Sequence, residues 1–180
     1  MIPSQYFKRA MPFVILCALF SLLWYELFYS HPHDQPSALL NELVPAFELT
    51  DLLHPPQTFT EKNLTGHVSL LNIWATWCYA CLVEHNMLMK ISTDYHIPIY
   101  SIAYKDDPSA TLKWLNEKGN PYIMLGNDVQ GSVGIDLGIY GTPETFIINS
   151  QGKIVYRHIG ALDENTWNNV LHPIIKRIST

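Results

Sequence analysis

The chain has 180 residues, 48% of them hydrophobic, which is enough for one globular core plus a short accessory segment and too little for a second full domain. Its formal net charge of -5 argues against a nucleic-acid surface, because phosphate binding needs clustered Lys and Arg that the sequence does not carry. Three cysteines are too few for a disulfide-stapled scaffold, and no repeat at solenoid or propeller periods is present, so partners are expected among proteins or membranes.

Residues 11–29, MPFVILCALFSLLWYELFY, are apolar or aromatic apart from Ser21 and Glu26. They extend over roughly 19 positions, about the span of a bilayer core, so residues 10–30 are expected to form a transmembrane anchor. Lys8 and Arg9 precede the segment and no basic residue follows closely. By the positive-inside rule residues 1–9 are then cytoplasmic, and the chain after Ser30 faces the periplasm. A cleaved signal peptide competes with this reading, although such apolar cores are usually shorter and no clear A-x-A site follows. A buried core helix is the third alternative, but a helix apolar on all faces at the end of a small domain has little core to enter. Cys17 lies inside the segment, where desolvation disfavours the thiolate and the side chain is expected to pack as a small apolar group. Residues 31–42, with Pro32 and Pro36, are expected to be a linker, followed by one domain over 43–180.

Within that domain, strands are expected over 46–49 and 57–60, joined by a turn through His54, Pro55 and Pro56. The near-continuous apolar run over 67–75 has the pattern of a central strand covered on both faces. Val83, Met87 and Ile91, with Leu88 beside them, place an amphipathic helix over 81–93. A buried strand over 97–104 follows, and then a helix over 109–118 that ends at Gly119 and Pro121. A short segment at 122–125 and a helix at 129–137 come next. Strands at 145–149 and 153–158 form a hairpin about Ser150, Gln151 and Gly152, and a helix over 164–178 closes the chain. Alternating strands and helices that finish in a hairpin and a helix predict an α/β fold, a mixed central sheet with helices on both faces.

Chemistry concentrates at Trp77-Cys78-Tyr79-Ala80-Cys81, two thiols three positions apart where a strand gives way to a helix. At a helix start the first thiol meets unpaired backbone N–H groups and the positive end of the dipole, which stabilise an accessible, nucleophilic thiolate. Cys81, one turn in, is close enough to attack a mixed disulfide formed at Cys78. Competing readings are an inert structural disulfide or a zinc half-site, which would have to recruit histidines such as His85. A CxxC at a strand-to-helix junction is more often a redox pair. Such exchange calls for no cofactor and no metal.

The stretch LLNIWATWCYACLVEH, with VPAFEL before it and GIYGTPETFIIN and YRHIG after it, resembles the CcmG/DsbE family, the thioredoxin-like proteins of cytochrome c maturation. The likeness runs from about Leu43 to the end, and an amino-terminal membrane anchor is also a feature of that family. It implies a thioredoxin-like fold in which Thr142-Pro143 is the cis-proline site facing the cysteines, with backbone groups free to pair with an extended peptide. An ordinary turn proline is the alternative, since Gly141 lies just upstream. The likeness also marks Glu84 and Glu144 as acidic positions of the active site. A carboxylate there can accept the proton that leaves Cys81, while its charge opposes thiolate formation. A solvated helix face is the plainer reading of Glu84.

Asn72 stands where ordinary thioredoxins carry a buried acid, and because Asn exchanges no proton that duty passes to Glu84. Trp74 is expected mainly to pack, and Trp77 to line the groove beside Cys78 as well. Tyr79-Ala80 departs from a family pattern that commonly holds a proline between the cysteines, and residues there tune redox poise. The resemblance implies a reductant of the inner membrane whose client is apocytochrome c, with its CxxCH thiols. It further implies re-reduction by a transmembrane thiol donor of the DsbD or CcdA type, alongside other cytochrome c maturation proteins. A thiol oxidase and a non-catalytic module that binds metal or an apoprotein through Cys78, Cys81 and His85 are the rivals.

Overall fold

The computed structural model describes residues 4–29 and 39–179. The chain divides into two units, with the boundary between Gln35 and Pro36. In the first unit α1 (Ser4–Tyr29) is a 26-residue helix with Pro12 inside it. Its described side chains, residues 11–26, are all exposed, and Cys17, expected to pack, is a free exposed thiol. Among the described residues no helix is long and apolar enough to cross a membrane. The expected linker lies outside the described residues as far as position 38.

The second unit begins to pack earlier than expected. Leu39 and Leu40 rest on a core cluster, Asn41 N–H donates to Ile154 O at 2.7 Å, and Val44 N–H donates to Gly152 O at 3.0 Å. Positions 39–42 are therefore part of the domain, because their backbone groups and leucines find partners there.

The lead-in hairpin is shorter than its sequence signal: β1 (Glu48–Thr50) pairs antiparallel with β2 (Thr58–Thr60), and the Pro55–Pro56 bond in its turn is cis. A 3-10 turn over Glu61–Leu64 follows. Next come β3 (Ser69–Trp74), α2 (Tyr79–Asp94), β4 (Ile99–Tyr104), α3 (Pro108–Lys118), β5 (Met124–Asp128) and α4 (Ser132–Asp136). The strands β6 (Glu144–Ile148) and β7 (Ile154–Ile159) complete the sheet, and α5 (Glu164–Thr166) and α6 (His172–Ile178) flank a π-helical stretch, Trp167–Leu171. Within this last helix His172 N–H reaches back to Trp167 O. The widened turn directly precedes Pro173, which has no N–H and would crowd the carbonyl four residues back.

Sheet order is β5-β4-β3-β6-β7, with β3, β4 and β5 parallel, β6 antiparallel to β3, and β7 antiparallel to β6. All six residues of β3 are buried, as a central strand covered on both faces requires. Two apolar clusters sandwich the sheet: Leu70, Trp74, Leu88, Ile91 and Ile147 on one face, and Leu71, Ile73, Phe146 and Ile148 on the other. Side chains alternate with period two along each strand, so every sheet residue belongs to one face or the other. Cys78 and Cys81 lie with the first cluster.

The hairpin closes the β5 edge. Asp51 is buried, and its Oδ1 accepts from Leu53 N–H at 3.0 Å and Leu125 N–H at 3.1 Å. A Cβ on Gly126 would meet Leu49 Cδ1 at 2.7 Å and Phe59 Cδ1 at 2.9 Å, so only glycine allows so close an approach. Phe59 is fully buried, edge-on to Phe47 at 5.0 Å and stacked on Tyr100 at 5.6 Å. Phe59→Ala is expected to cost about 3–5 kcal/mol in urea-induced unfolding of the domain, and a loss below about 1 kcal/mol would show that the hairpin is not anchored through this ring.

Candidate active site

β3 ends at Trp74, and the chain turns through Ala75, Thr76 and Trp77, with Cys78 N–H donating to Ala75 O at 3.2 Å. Asp106, just past β4, holds that turn: its carboxylate accepts from Thr76 N–H at 2.5 Å, from Thr76 Oγ1 at 2.8 Å and from Asp107 N–H at 2.9 Å. Trp77 Nε1 donates to Lys105 O at 3.2 Å, which ties the same loop at a second point. Cys78 is thereby delivered as the N-cap of α2, where its Sγ accepts from Cys81 N–H at 3.1 Å.

Cys78 and Cys81 are joined in a disulfide with a Cα–Cα distance of 5.3 Å. Cys78 is 8% exposed and Cys81 3%, so the first sulfur is more covered than a freely accessible thiol. Its neighbours are the exposed ones, Trp77 at 61% and Tyr79 at 79%. Pro143 is buried and Thr142–Pro143 is cis, as the resemblance implies. Thr142 Oγ1 is buried without a hydrogen-bond partner.

The two sequence-predicted carboxylates are not brought together. Glu84, on the second turn of α2, is 1% exposed rather than solvated. Its Oε1 accepts from Asn72 Nδ2 at 3.0 Å and its Oε2 from Leu162 N–H at 2.9 Å. Burial pushes its carboxyl up to about 7, against the opposing pull of those two hydrogen bonds. Asn72 shares a sheet face with Leu70 and Trp74, so Glu84 lies on the face that carries the cysteines.

Glu144 shares the opposite face with Phe146 and Ile148. It is fully buried, and Arg157 donates to its Oε2 through Nε at 2.7 Å and Nη2 at 2.6 Å. Its Oε1 accepts from Tyr140 N–H at 2.7 Å and Gly141 N–H at 3.3 Å. Arg157 Nη2 donates to Gly138 O at 2.9 Å, and the guanidinium lies under the exposed Tyr140 ring at 4.7 Å. Both oxygens of Glu144 are thus engaged in holding the loop that enters the cis-proline, a positioning role and not a contact with the sulfurs.

Trp74 packs, as expected, between Trp114 and Tyr122, and its Nε1 donates to Ser101 Oγ at 2.6 Å. His85 Nε2 lies 3.2 Å from Lys118 O with its ring edge-on to Trp114, and burial pushes its basicity below that of free histidine. Among the described residues no three His, Cys, Asp or Glu group as a metal site. Asp106 and Tyr122 carry no motif, and Arg157 and Thr145, though they fall within the stretches YRHIG and GIYGTPETFIIN, were given no role by sequence. The one visible signal is Asp106 at the carboxyl end of a buried parallel strand, where α/β sheets place their sites.

Comparison with known proteins agrees with this geometry. The redoxin family matches residues 39–171. The thiol:disulfide interchange protein DsbE of Yersinia pestis is 40% identical over 182 residues, covering 97% of this chain and 96% of the relative. DsbE of Pseudomonas aeruginosa is 39% identical over 165 residues (92% and 88%), and DsbE of Escherichia coli is 39% identical over 173 (93% and 93%). Among solved structures, a secreted thiol-disulfide isomerase from Corynebacterium glutamicum has a TM-score of 0.66 at 17% identity, over 83% of this chain and 98% of its own. A thiol-disulfide oxidoreductase from Bacteroides fragilis has a TM-score of 0.62 at 17% identity, over 74% and 99%. At those identities the two structures establish the thioredoxin-like fold alone.

Glu84 also leaves a mark on stability. Its folded carboxyl titrates near 7 against 4.5 ordinarily, so the native state binds the extra proton and stability falls as pH rises from 4.5 to 7. Glu84→Gln is expected to remove that loss, about 3 kcal/mol across the window. The check is the difference between unsubstituted and variant unfolding free energies in urea from pH 4.5 to 8; a pH-independent difference would contradict it.

Proposed function

The chain belongs to the redoxin family, among the DsbE thiol:disulfide interchange proteins, and from that we propose a membrane-held periplasmic reductant that keeps the CxxCH thiols of apocytochrome c reduced. The observation that carries the chemistry is Cys78 at the cap of α2 with the Glu84 carboxyl buried on the same face of the sheet. The protein is a thiol-disulfide oxidoreductase, and its two sulfurs divide the work.

In the reduced enzyme the Cys78 thiolate, stabilised by the start of α2, attacks one sulfur of the client disulfide. A Cys78–client bond forms, the client S–S bond breaks, and one client thiolate leaves. Cys81 gives its proton to the Glu84 carboxylate and attacks the Cys78 sulfur. The second client thiolate departs with its electron pair, leaving the Cys78–Cys81 disulfide. Two electrons have passed to the client, and a transmembrane dithiol donor of the DsbD or CcdA type returns them. Backbone groups beside cis-Pro143 and the exposed rings of Trp77 and Tyr140 supply the surface for an extended client segment.

Residues 10–30 anchor the domain to the inner membrane, with Lys8 and Arg9 on the cytoplasmic side, and other cytochrome c maturation proteins work beside it. What supports the anchor is the sequence, a near-unbroken apolar run over residues 11–29 that follows Lys8 and Arg9 and whose side chains from 11 to 26 are exposed.

Cys81→Ser leaves the client bonded to Cys78. When the full chain with this change is expressed in a bacterial periplasm, apocytochromes c are expected on Cys78, identified by mass spectrometry after non-reducing separation. A broad mixture of secreted proteins without c-type apocytochromes would overturn the client assignment. A redox titration against glutathione is expected to find a reducing pair, and a pair as oxidising as a disulfide-forming enzyme would favour the thiol oxidase.

A further inference from the structure

Between the sheet and α2 runs a chain of buried polar groups longer than the reaction requires. It starts at an obligate donor, the Trp74 indole N–H, which donates to Ser101 Oγ at 2.6 Å. Beside Ser101, Tyr122 Oη donates to Asn72 Oδ1 at 3.0 Å. Asn72 Nδ2 then donates to Thr145 Oγ1 at 3.1 Å and to Glu84 Oε1 at 3.0 Å. Leu162 N–H, a second obligate donor, closes the network on Glu84 Oε2.

The direction of this chain is set at Tyr122, whose hydroxyl donates to Asn72 Oδ1. With the phenol protonated and donating to Oδ1, Tyr122 and Asn72 each pass a donor toward the carboxylate. Asn72 is the pivot, because a carboxamide presents donors at one end and an acceptor at the other, and a half-turn would exchange them. With Tyr122 donating to its oxygen, its N–H2 is held toward Glu84.

From this we infer that Tyr122 is a positioning residue for the proton acceptor, locking the Asn72 amide so that Glu84 keeps an N–H donor on Oε1. The inference rests on Glu84 taking the Cys81 proton, as set out above. Tyr122 stays protonated at working pH, since burial and the Glu84 charge push its hydroxyl well above its usual range. The groups that meet Glu84 are Tyr122 from the segment before β5, Asn72 from β3, Thr145 from β6 by way of Asn72, and the Leu162 N–H. Its own helix also buries Cys81 and His85, the latter turned to Lys118 O and Trp114.

Tyr122→Phe removes one hydroxyl and little volume. The freed amide can then turn its oxygen to Glu84, the carboxylate loses a donor, and its affinity for a proton rises. Resolution by Cys81 needs the carboxylate empty, so its pH midpoint should move upward by about one unit, the effect of one hydrogen bond to a charged group.

The reduced full chain, in excess, is mixed with a symmetrical chromogenic aryl disulfide, and release of the second aryl thiolate is followed by stopped flow from pH 5 to 9. That release reports Cys81 attacking the Cys78–aryl adduct. The unsubstituted protein is expected to show a midpoint near that of Glu84, Glu84→Gln to lose it, and Tyr122→Phe to raise it, with the double variant matching Glu84→Gln. If Glu84→Gln leaves the profile intact, the proton-acceptor reading itself falls. If Glu84→Gln abolishes the midpoint but Tyr122→Phe does not move it, only the positioning role is overturned. A Tyr122→Phe effect that persists in the Glu84→Gln background also overturns it, as general loosening. Should Tyr122→Phe fail to fold, NMR titration of the unsubstituted reduced protein decides: the Asn72 carboxamide signals must move with the Glu84 midpoint, and signals that stay still overturn the inference.

Discussion

A carboxyl group 1% exposed, held by one N–H from a strand and one from a loop, is an expensive thing to bury. Glu84 is tolerated because the sheet supplies donors at the right height and because the group spends much of its time protonated near neutral pH. That constraint fixes what surrounds it. Asn72 must sit on the cysteine face of the central strand, the loop after β7 must present the Leu162 N–H, and α2 must enter the sheet at the angle that brings its second turn over β3. The same entry angle makes Cys78 the cap of α2, so the nucleophile and its proton acceptor are set by one helix.

Two opposing influences act on the sulfur at position 78. The start of α2 favours its anion by about 0.3–1 kcal/mol, and by up to about 2 kcal/mol in partly buried geometry. A nearby carboxylate opposes that anion by like charge. With its titration raised to about 7, Glu84 is neutral in about half the molecules at that pH, so the repulsion is reduced when Cys78 attacks. The price is a slower second step in those molecules, since an already protonated Glu84 cannot take the Cys81 proton.

The local chemistry of this site was legible in the sequence, and its long-range geometry was not. Cys78 and Cys81 sit in a short motif whose spacing carries its meaning, Thr142-Pro143 was marked by the family resemblance, and the buried run leading to Trp74 has a period that needs no partner to be read. Glu84 and Glu144 look alike in sequence, yet the sheet stands between them. Arg157 shows why counting fails: from the turn at Ser150, simple antiparallel counting sets it opposite Thr145, on the Glu84 face. A bulge between Ile147 and Ile148 shifts the register by one, pairs Arg157 with Phe146, and so moves it to the face of Glu144. Tyr122 was invisible for a related reason, acting on a residue 50 positions away, and Asp106, marked only by its place at the end of β4, acts on one 30 away.

Asn at position 72 also answers why the central strand carries an amide where a thioredoxin carries an acid. A second carboxylate there would face Glu84 across a hydrogen-bond distance, and two like charges in a buried site force one of them to hold a proton permanently. A purely apolar residue would strand the Tyr122 hydroxyl and leave Glu84 with the Leu162 N–H alone, at about 1–3 kcal/mol for each unsatisfied buried group. The amide avoids both, accepting from the hydroxyl side and donating to the acid side without ever exchanging a proton. Moving the titrating group off the strand and onto the helix therefore requires the strand position to become a fixed dipole, and Asn72 is oriented as one.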